Sequence, residues 1–516
     1  DVYRKQEGRV PPPILRAIAF YELCERKTIY LDPRELIAGE RGPFPKACPT
    51  YPELTCHSLA DLEILRSRPM TSYVVDDSVL ESYRTEIIPF WRGRSIRDRA
   101  FAGIPAEWKA LYEAGVFTEF MEQRAAGHTA LDGKLYRKGL HEFHREILEL
   151  RRGLDLQEPE YDRKTALLKA MAISCEGAAR LAARHAELAE KLAESEREPE
   201  LSANLRAVAE ACRRVPAHAP RTFREALQAY WFVHLGTLIE LNGWDAMSPG
   251  HLDQHLAPFY ERDVREGRLT REAAKELLAG FWIKVNNTPA PPKVGVTAAE
   301  SGTYNDFTNI NLAGLTPDGR DGSSDVTLLI LEVLDELRLL QPQANVQVSA
   351  RTPERILVEA CRVIRNGSGY PSLFNADEVI LAQTAMGKSL KDAREGGTSG
   401  CIETGCFGKE AYFLHGYLNL PKILELALND GADPATSVRL GPRTGSADTF
   451  RSFEDLYSAF RAQLLHTVDW KVKVSEELDR LYGTEMPAPF LSIYIDDCIR
   501  NAQDYYGGGA RYNTDY

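Results

Sequence analysis

The sequence lacks several features that would each define a class of protein. Its longest apolar runs, such as Val326–Leu334, are broken by Asp or Glu well short of a membrane span. No signal-peptide pattern is found near the start. The nine cysteines are an odd number spread through 516 residues, and they include no Cys-x-x-Cys pair. This distribution argues against a disulfide framework, a structural zinc site and an iron–sulfur cluster.

An excess of basic residues is also missing. The chain has 63 Lys and Arg against 75 Asp and Glu, a formal net charge of −12, and its basic residues are scattered. Such a balance disfavours a nucleic-acid-binding protein. Hydrophobic residues make up 44% and charged residues 27%, values typical of globular proteins. We therefore expect a cytoplasmic protein that binds neither nucleic acid nor a membrane.

Long helical patterns alternate with short extended ones along the chain. The predicted helices are Ile14–Glu25, Tyr136–Arg152, Thr165–Ala193, Ser202–Arg214, a buried apolar helix from the Thr222 capping box to Leu241, and one that Thr352-Pro353-Glu354 opens and Asn366-Gly367 closes. The predicted extended segments are Thr308–Leu312, Asn345–Ser349, Ser399–Glu403 and Leu491–Ile495. Strands separated by long helices indicate an α/β fold, and the size favours a barrel.

The segment with the most chemical information is glycine-rich and contains two cysteines. Residues 396–406 read GGTSGCIETGC. If Cys401–Glu403 is extended, the thiol and the carboxylate lie on one face, with Cα atoms roughly 6.5–7 Å apart. Both groups would then address the same small molecule. A glycine-rich turn that holds an incidental thiol is the alternative.

Two other roles for Cys401 can be compared with that one. A thiolate nucleophile needs a nearby histidine or helix N-terminus to lower its pKa, whereas a neighbouring carboxylate raises it. As a metal site, Cys401 and Cys406 form Cys-x4-Cys without a second cysteine pair. A thiol beside a carboxylate suits hydrogen-atom abstraction coupled to proton transfer, because the radical step does not need a thiolate.

These residues resemble a known family. Gly400–Glu403 resembles the Gly-Cys-x-Glu motif of the glycyl radical enzymes, and the longer strings Ser399–Tyr412 and Ser301–Thr308 resemble members that dehydrate trans-4-hydroxy-L-proline. The resemblance extends from the Lys46–Pro52 loop to Gly508–Asn513. It implies a ten-stranded α/β barrel of two half-barrels surrounded by helices. We expect one domain over 1–516, with a helical part at about 1–215 and a barrel core at about 216–516.

The resemblance also implies roles for individual residues. Cys401, on a loop that reaches into the barrel centre, would form the thiyl radical that abstracts hydrogen from C5 of the proline ring, with Glu403 as acid/base partner. His128 and Asp245 would help the C4 hydroxyl leave as water. The substrate-binding residues would be Asp306 at the ring ammonium, Ser301 and Phe307 at the carboxylate, and Tyr417 lining the pocket. The expected product is 1-pyrroline-5-carboxylate.

Each of these residues also has a structural explanation. A lone histidine such as His128 often bonds a backbone carbonyl. Asp245 and Asp306 could stabilise turns through their own backbone. Ser301 could be a loop hydroxyl, and Phe307 and Tyr417 could be core residues. The sequence alone leaves both explanations open.

The chain departs from the family at one point. The radical-bearing glycine of the family lies in a C-terminal Arg-Val-x-Gly-Tyr motif, which the 516 residues do not contain. We therefore expect either a fragment of a longer reading frame, which we favour, or one half of a split enzyme. The glycyl radical would then be supplied from outside these residues, and a substrate contact that the family draws from the same region would be missing.

The resemblance further implies partners and cofactors. They are an amino-acid substrate and an activating enzyme that carries S-adenosylmethionine and an iron–sulfur cluster, with no metal bound to this chain. The surroundings would be an anaerobic cytoplasm, and a homodimer is compatible with the family. Competing hypotheses are an arylacetate decarboxylase or diol dehydratase of the same superfamily, and a catalytically silent scaffold or partner subunit.

Overall fold

The computed structural model describes residues 1–47, 50–69, 72–118, 129–241, 247–288 and 308–515. The α-helices are Val2–Gln6, Pro12–Arg26, Leu59–Ser67, Asp77–Ser82, Ile88–Trp91, Ile96–Gly103, Ala106–Glu113, Leu140–Gly153, Tyr161–Ser195, Pro199–Arg214, Phe223–Leu241, Leu252–Arg265, Arg271–Asn287, Asp325–Leu337, Glu354–Arg365, Ala376–Ala385, Leu390–Arg394, Leu420–Leu428, Phe453–Glu485, Pro489–Ile493 and Cys498–Asn501. Single helical turns of other types are Tyr83–Ile87, Gly133–Tyr136, Ala447–Thr449 and Tyr505–Gly507. The strands are β1 (Gly250–His251), β2 (Asn309–Ala313), β3 (Gln343–Val348), β4 (Ser372–Asn375), β5 (Gly397–Thr398), β6 (Thr404–Gly405), β7 (Glu410–Phe413) and β8 (Tyr512–Asp515).

All six predicted helices are present, with shifts of a few residues at their ends. The helix predicted to start at Tyr136 begins at Leu140, after a short 3-10 turn. The predicted buried helix is Phe223–Leu241, and every side chain in it except Arg224 is buried. Its apolar surface on all sides explains this position, since no face of it can be left in water. The residues that follow it, 242–246, lie outside the described residues.

The central sheet has four parallel strands in the order β1-β2-β3-β4. Helices Asp325–Leu337 and Glu354–Arg365 connect β2 to β3 and β3 to β4, so the predicted α/β arrangement is confirmed. Parallel strands need such crossovers and are covered on both faces. The residues of β2 are accordingly all buried. On one face of β2, Ile310 and Leu312 join the main hydrophobic core.

One predicted strand is wrong because the segment is helical. Leu491–Ile495 falls largely in the helix Pro489–Ile493. The carboxylate of Glu240 accepts hydrogen bonds from the Phe490 and Leu491 amides, at 2.7 and 2.9 Å. Proline in the first turn and a carboxylate at the N-terminus both favour the helix. The carboxylate comes from a residue about 250 positions away, so the local pattern could not reveal it.

No helix in the described part of the chain is both long enough and apolar enough to cross a bilayer.

Candidate active site

Cys401 lies at the tip of a hairpin. Strands β5 and β6 pair in antiparallel fashion, with Thr398 opposite Thr404, and the Ser399 amide donates to the Glu403 carbonyl at 2.7 Å. The predicted extended conformation of Ser399–Glu403 is therefore wrong, because these residues form the connecting loop. The Cys401 thiol is exposed, and the next side chain, Ile402, is 76% exposed.

Glycine allows the tight approach at the base of this hairpin. A Cβ atom at Gly397 would lie 2.6 Å from the side-chain oxygen of Asn311, and one at Gly405 would lie 1.9 Å from the Tyr412 hydroxyl. Both distances are far below van der Waals contact. The glycines of the motif thus let neighbouring groups reach the hairpin backbone.

Four buried carboxamides lie against the hairpin, and we call them the carboxamide cluster. Its members are Asn309 and Asn311 on β2 and Asn345 and Gln347 on β3, each at most 1% exposed. Residues two apart on a strand share a face, and the register pairs Asn311 with Asn345. The alternation of amide and apolar residues in the two predicted strands is the sequence signal for this cluster, but the alternation alone does not show that the amides of both strands meet.

The far end of the hairpin is held by an ion pair. The Lys388 ammonium lies 2.5 Å from the Glu410 carboxylate, and both side chains are almost entirely buried. The same carboxylate accepts from the Cys406 amide at 2.7 Å and from the hydroxyl of Thr514 on β8. Strand β8 also pairs in parallel with β7, which contains Glu410. The C-terminal strand is therefore linked to the base of the Cys401 hairpin.

The two cysteines of the motif have different surroundings. Burial, with the Glu410 carboxylate nearby, raises the pKa of the Cys406 thiol to about 12. Cys406 is fully buried, whereas Cys401 is exposed. Among the described residues, no cluster of three or more His, Cys, Asp or Glu side chains could hold a metal ion.

Glu403 lies on the same loop as Cys401. Its side chain is partly exposed, and its carboxylate accepts a hydrogen bond from the Ile402 amide at 3.0 Å. The hairpin therefore brings a thiol and a carboxylate together at one end, although by a loop and not by an extended strand. Such a pair can combine hydrogen-atom transfer with proton transfer.

Tyr417 is 57% exposed. Its backbone is paired with Thr118, whose amide donates to the Tyr417 carbonyl while its hydroxyl accepts from the Tyr417 amide, both at 2.9 Å. The prediction that Tyr417 lines a substrate pocket is not tested by this position.

The other predicted site residues lie outside the described residues: His128, Asp245, Ser301, Asp306 and Phe307. The predicted enclosure of Cys401 by these residues therefore stays a prediction.

The described residues next to those segments nevertheless meet at Ser248. Its amide donates to the Thr129 carbonyl at 3.0 Å, and the Asn309 amide donates to its hydroxyl at 3.1 Å. The same hydroxyl donates to the Ser399 carbonyl in the Cys401 hairpin at 3.2 Å. Thr129 directly follows His128, and Ser248 lies three residues after Asp245. Three distant stretches of sequence thus converge beside the hairpin.

Comparison with known proteins agrees with this architecture. The profile of the pyruvate formate lyase-like family matches residues 1–516. The chain belongs to this family. The resemblance to glycyl radical enzymes found in the sequence is thereby confirmed.

Among curated relatives, trans-4-hydroxy-L-proline dehydratase of Clostridioides difficile is 47% identical over 100% of this chain and 66% of its own length. (2S)-3-sulfopropanediol dehydratase of Klebsiella oxytoca is 30% identical over 99% of the chain and 63% of its own length. The chain thus spans slightly less than two thirds of these family members.

Solved structures give the same result. The crystal structure of the Clostridioides difficile hydroxyproline dehydratase with trans-4-hydroxy-L-proline bound superimposes with a TM-score of 0.96 at 47% identity, covering all of this chain and 65% of that one. The glycerol-bound glycerol dehydratase of Clostridium butyricum gives 0.91 at 28% identity, covering 99% and 64%. The α/β fold of this family is therefore established for the chain.

Proposed function

We propose that the chain forms the thiyl-radical part of a dehydratase that converts trans-4-hydroxy-L-proline to 1-pyrroline-5-carboxylate. The observation that carries this proposal is 47% identity, over the whole chain, to a dehydratase of that substrate. The hairpin that presents Cys401 and Glu403 supports it, because the chemistry needs a thiol beside an acid/base group. Relatives near 30% identity include a sulfopropanediol dehydratase, so the family alone does not define the substrate.

The residues of this chain would act in sequence. A glycyl radical from outside the 516 residues would supply the radical by removing the hydrogen atom of the Cys401 thiol. The Cys401 sulfur then takes one hydrogen atom from C5 of the ring, which leaves an α-amino radical.

Loss of water is the second step. The C4–O bond breaks with its electron pair, and a proton from an acidic side chain completes the water molecule. We assign His128 and Asp245 to this hydroxyl and Glu403 to acid/base transfer near the substrate amine. As the C4–O bond breaks, the ring nitrogen gives a proton to Glu403 and forms a double bond to C5, which leaves the unpaired electron on C4. The Cys401 thiol finally returns its hydrogen atom to C4, which restores the sulfur radical and completes the pyrroline.

Substrate binding is assigned to the remaining predicted residues. Asp306 would bind the ring ammonium, Ser301 and the Phe307 backbone the carboxylate, and Tyr417 would line the pocket. The convergence of Thr129, Ser248 and Asn309 supports this grouping, since they follow His128, Asp245 and Phe307 closely in sequence. Each assigned group is the type that its partner requires, a carboxylate for an ammonium and hydrogen-bond donors for a carboxylate.

The larger architecture belongs to the same proposal. The four-stranded sheet would form part of a ten-stranded barrel of two half-barrels, within one domain whose helical part covers about 1–215 and whose core covers about 216–516. The TM-score of 0.96 to hydroxyproline dehydratase supports this assignment. The partners would be an activating enzyme with S-adenosylmethionine and an iron–sulfur cluster, and a second copy of the chain, in an anaerobic cytoplasm.

The test is an anaerobic assay of the chain, expressed from its gene with the flanking coding sequence and activated by a radical S-adenosylmethionine enzyme. Incubation with trans-4-hydroxy-L-proline should give 1-pyrroline-5-carboxylate, detected as its o-aminobenzaldehyde adduct. Cys401→Ser should abolish turnover. Cys361→Ser, which changes another exposed cysteine outside the hairpin, should leave turnover unchanged.

A substrate panel separates the competing functions. Turnover of an arylacetate or a diol, with no pyrroline formed, would reject the hydroxyproline assignment while keeping a radical lyase. No glycyl electron paramagnetic resonance signal and no turnover of any substrate would favour the silent scaffold.

A further inference from the structure

Asn311 contacts the Cys401 hairpin in the way that a neighbouring β-strand would. Its side-chain amide donates to the Thr398 carbonyl at 2.7 Å, and its side-chain oxygen accepts from the Thr398 amide at 3.0 Å. The backbone amide and carbonyl of Thr398 thus both point away from β6 and toward the Asn311 carboxamide. A carboxamide offers one donor and one acceptor, as a peptide unit does. Strand β5 therefore has strand β6 along one edge and the Asn311 side chain along the other.

The rest of the carboxamide cluster holds Asn311 in this orientation. The Gln347 amide donates to the Asn311 oxygen at 3.0 Å and to the Asn345 oxygen at 2.7 Å. The Asn345 amide donates to the Asn309 oxygen at 2.9 Å. These bonds fix which end of each carboxamide is the oxygen, so the network has one consistent direction.

The cluster contacts the hairpin at a second point, directly before the thiol. The side-chain amide of Asn309 donates to the carbonyl of Gly400, the residue directly before Cys401. Backbone positions 398 and 400 are thus both anchored to β2, while the following loop residue Ile402 is exposed to solvent.

We propose that Asn311, oriented by Gln347 and assisted by Asn309, is a positioning residue that sets where the Cys401 sulfur lies for hydrogen abstraction. The inference rests on the proposed function, since it assigns a catalytic purpose to the anchoring of this loop. Hydrogen transfer requires reacting atoms within roughly 3–3.5 Å, and a misplacement of about 1 Å lowers a rate by about a hundredfold.

Neutral amides suit this role better than charged groups. A buried carboxylate at position 311 could accept from the Thr398 amide but could not donate to the Thr398 carbonyl. The buried carboxamides satisfy both groups without placing a charge beside the reacting sulfur. Their number and depth distinguish the cluster from a lone buried asparagine, because all four are at most 1% exposed.

The first measurement needs no activity. Hydrogen exchange over residues 396–405 is followed by mass spectrometry in the chain and in Asn311→Leu, which keeps the side-chain size and removes both bonds to Thr398. Exchange at the hairpin should accelerate by about tenfold. Asn204→Leu is the matched control, because Asn204 donates to the Pro33 and Glu35 carbonyls at 3.0 and 2.8 Å, away from the hairpin.

The second measurement uses the activated holoenzyme. In Asn311→Leu, kcat should fall by about a hundredfold, whereas KM should change less than threefold because the variant leaves every proposed substrate contact in place. The Asn204→Leu control should retain kcat. If Asn311→Leu does not fold, Gln347→Met removes the bond that orients Asn311, together with those to Asn345 and the Thr398 hydroxyl, and keeps both Asn311 bonds to the Thr398 backbone. It should produce the same changes in the same direction, with about a fivefold loss of kcat.

The outcomes are separable. Unchanged hairpin exchange in both Asn311→Leu and Gln347→Met would overturn the anchoring. Faster exchange with an unchanged kcat would overturn the positioning role. If the unmodified holoenzyme forms no pyrroline, the proposed function fails, and the exchange data still decide whether the cluster holds the hairpin; a kcat loss for another substrate of the panel would then support positioning.

Discussion

The two ends of the Cys401 hairpin are held by opposite kinds of chemistry. Near the thiol, the carboxamide cluster bonds backbone groups at positions 398 and 400. At the other end, the Lys388–Glu410 ion pair bonds the Cys406 amide and the C-terminal strand. The end near the thiol depends on the four side chains of the carboxamide cluster, each in one orientation. The other end depends on two side chains, Lys388 and Glu410. Substitutions at the two ends should therefore lower the free energy of unfolding by different amounts.

The largest effect should come from the charged end. Glu410→Gln removes the negative charge opposite the buried Lys388 ammonium, whose other bond, to the Gln383 side-chain oxygen at 2.5 Å, is to a neutral group. Removing one partner of a buried ion pair typically costs about 3–5 kcal/mol. The urea midpoint should fall accordingly. Glu477→Gln, which breaks an exposed pair with Arg480, should change the free energy of unfolding by less than about 1 kcal/mol.

A loss of similar size in both variants would mean that the buried pair contributes no more than a surface pair. In Lys388→Met/Glu410→Gln, most of the stability should return, since removing both charges avoids the unpaired ion and the glutamine oxygen can still accept from the Cys406 amide.

The neutral end should lose less. Asn345→Leu removes the donor to the Asn309 oxygen and the acceptor of the Gln347 amide. The Gln347 amide keeps the Asn311 oxygen and the Thr398 hydroxyl as acceptors, so the group that loses its partner is the Asn309 oxygen. An orphaned buried group costs about 1–3 kcal/mol, which is the loss we expect in urea denaturation. Asn366→Leu, at a partly exposed position bonded to Asp335, is the control. A cost at Asn345 no greater than at Asn366 would show that the cluster is not cooperative.

The sequence predicted the helices better than the hairpin for a physical reason. Helix Phe223–Leu241 is specified by its own N-terminal capping box and apolar surface, so local patterns suffice. The conformation of Ser399–Glu403 depends on Asn311, 87 positions from its bonding partner Thr398. The helix Pro489–Ile493 likewise depends on Glu240. Local reasoning cannot include such distant partners.

The sequence predicted the family more readily than the geometry of the hairpin. The Gly-Cys-x-Glu motif predicted the family, which is confirmed, whereas the roles of Cys401 and Glu403 stay predictions. The alternating amides of β2 and β3 were visible in the sequence, but only the register of the sheet, Asn311 beside Asn345, shows that they form one cluster.

Close packing between hairpin and cluster can be tested by adding a methyl group. Gly397→Ala would place a Cβ atom 2.6 Å from the Asn311 oxygen and 2.9 Å from the Phe407 ring. Relieving this overlap must move the hairpin or the carboxamide, at a cost of about 1–3 kcal/mol. Gly103→Ala is the control, because an added Cβ there meets nothing within 4 Å. Equal unfolding free energies for both variants would show that Asn311 and Phe407 can move away from the added methyl group at no cost in stability.

The smallest effect should come from the link between the ion pair and the C-terminal strand. Thr514→Val keeps the branched shape that favours β8 and removes only the hydroxyl that donates to Glu410. Glu410 retains Lys388 and the Cys406 amide, so no charge is left unpaired. The expected loss is about 1 kcal/mol in urea denaturation, the net value of one hydrogen bond. A loss near that of Glu410→Gln would mean that β8, and not Lys388, supplies most of the support at this end of the hairpin.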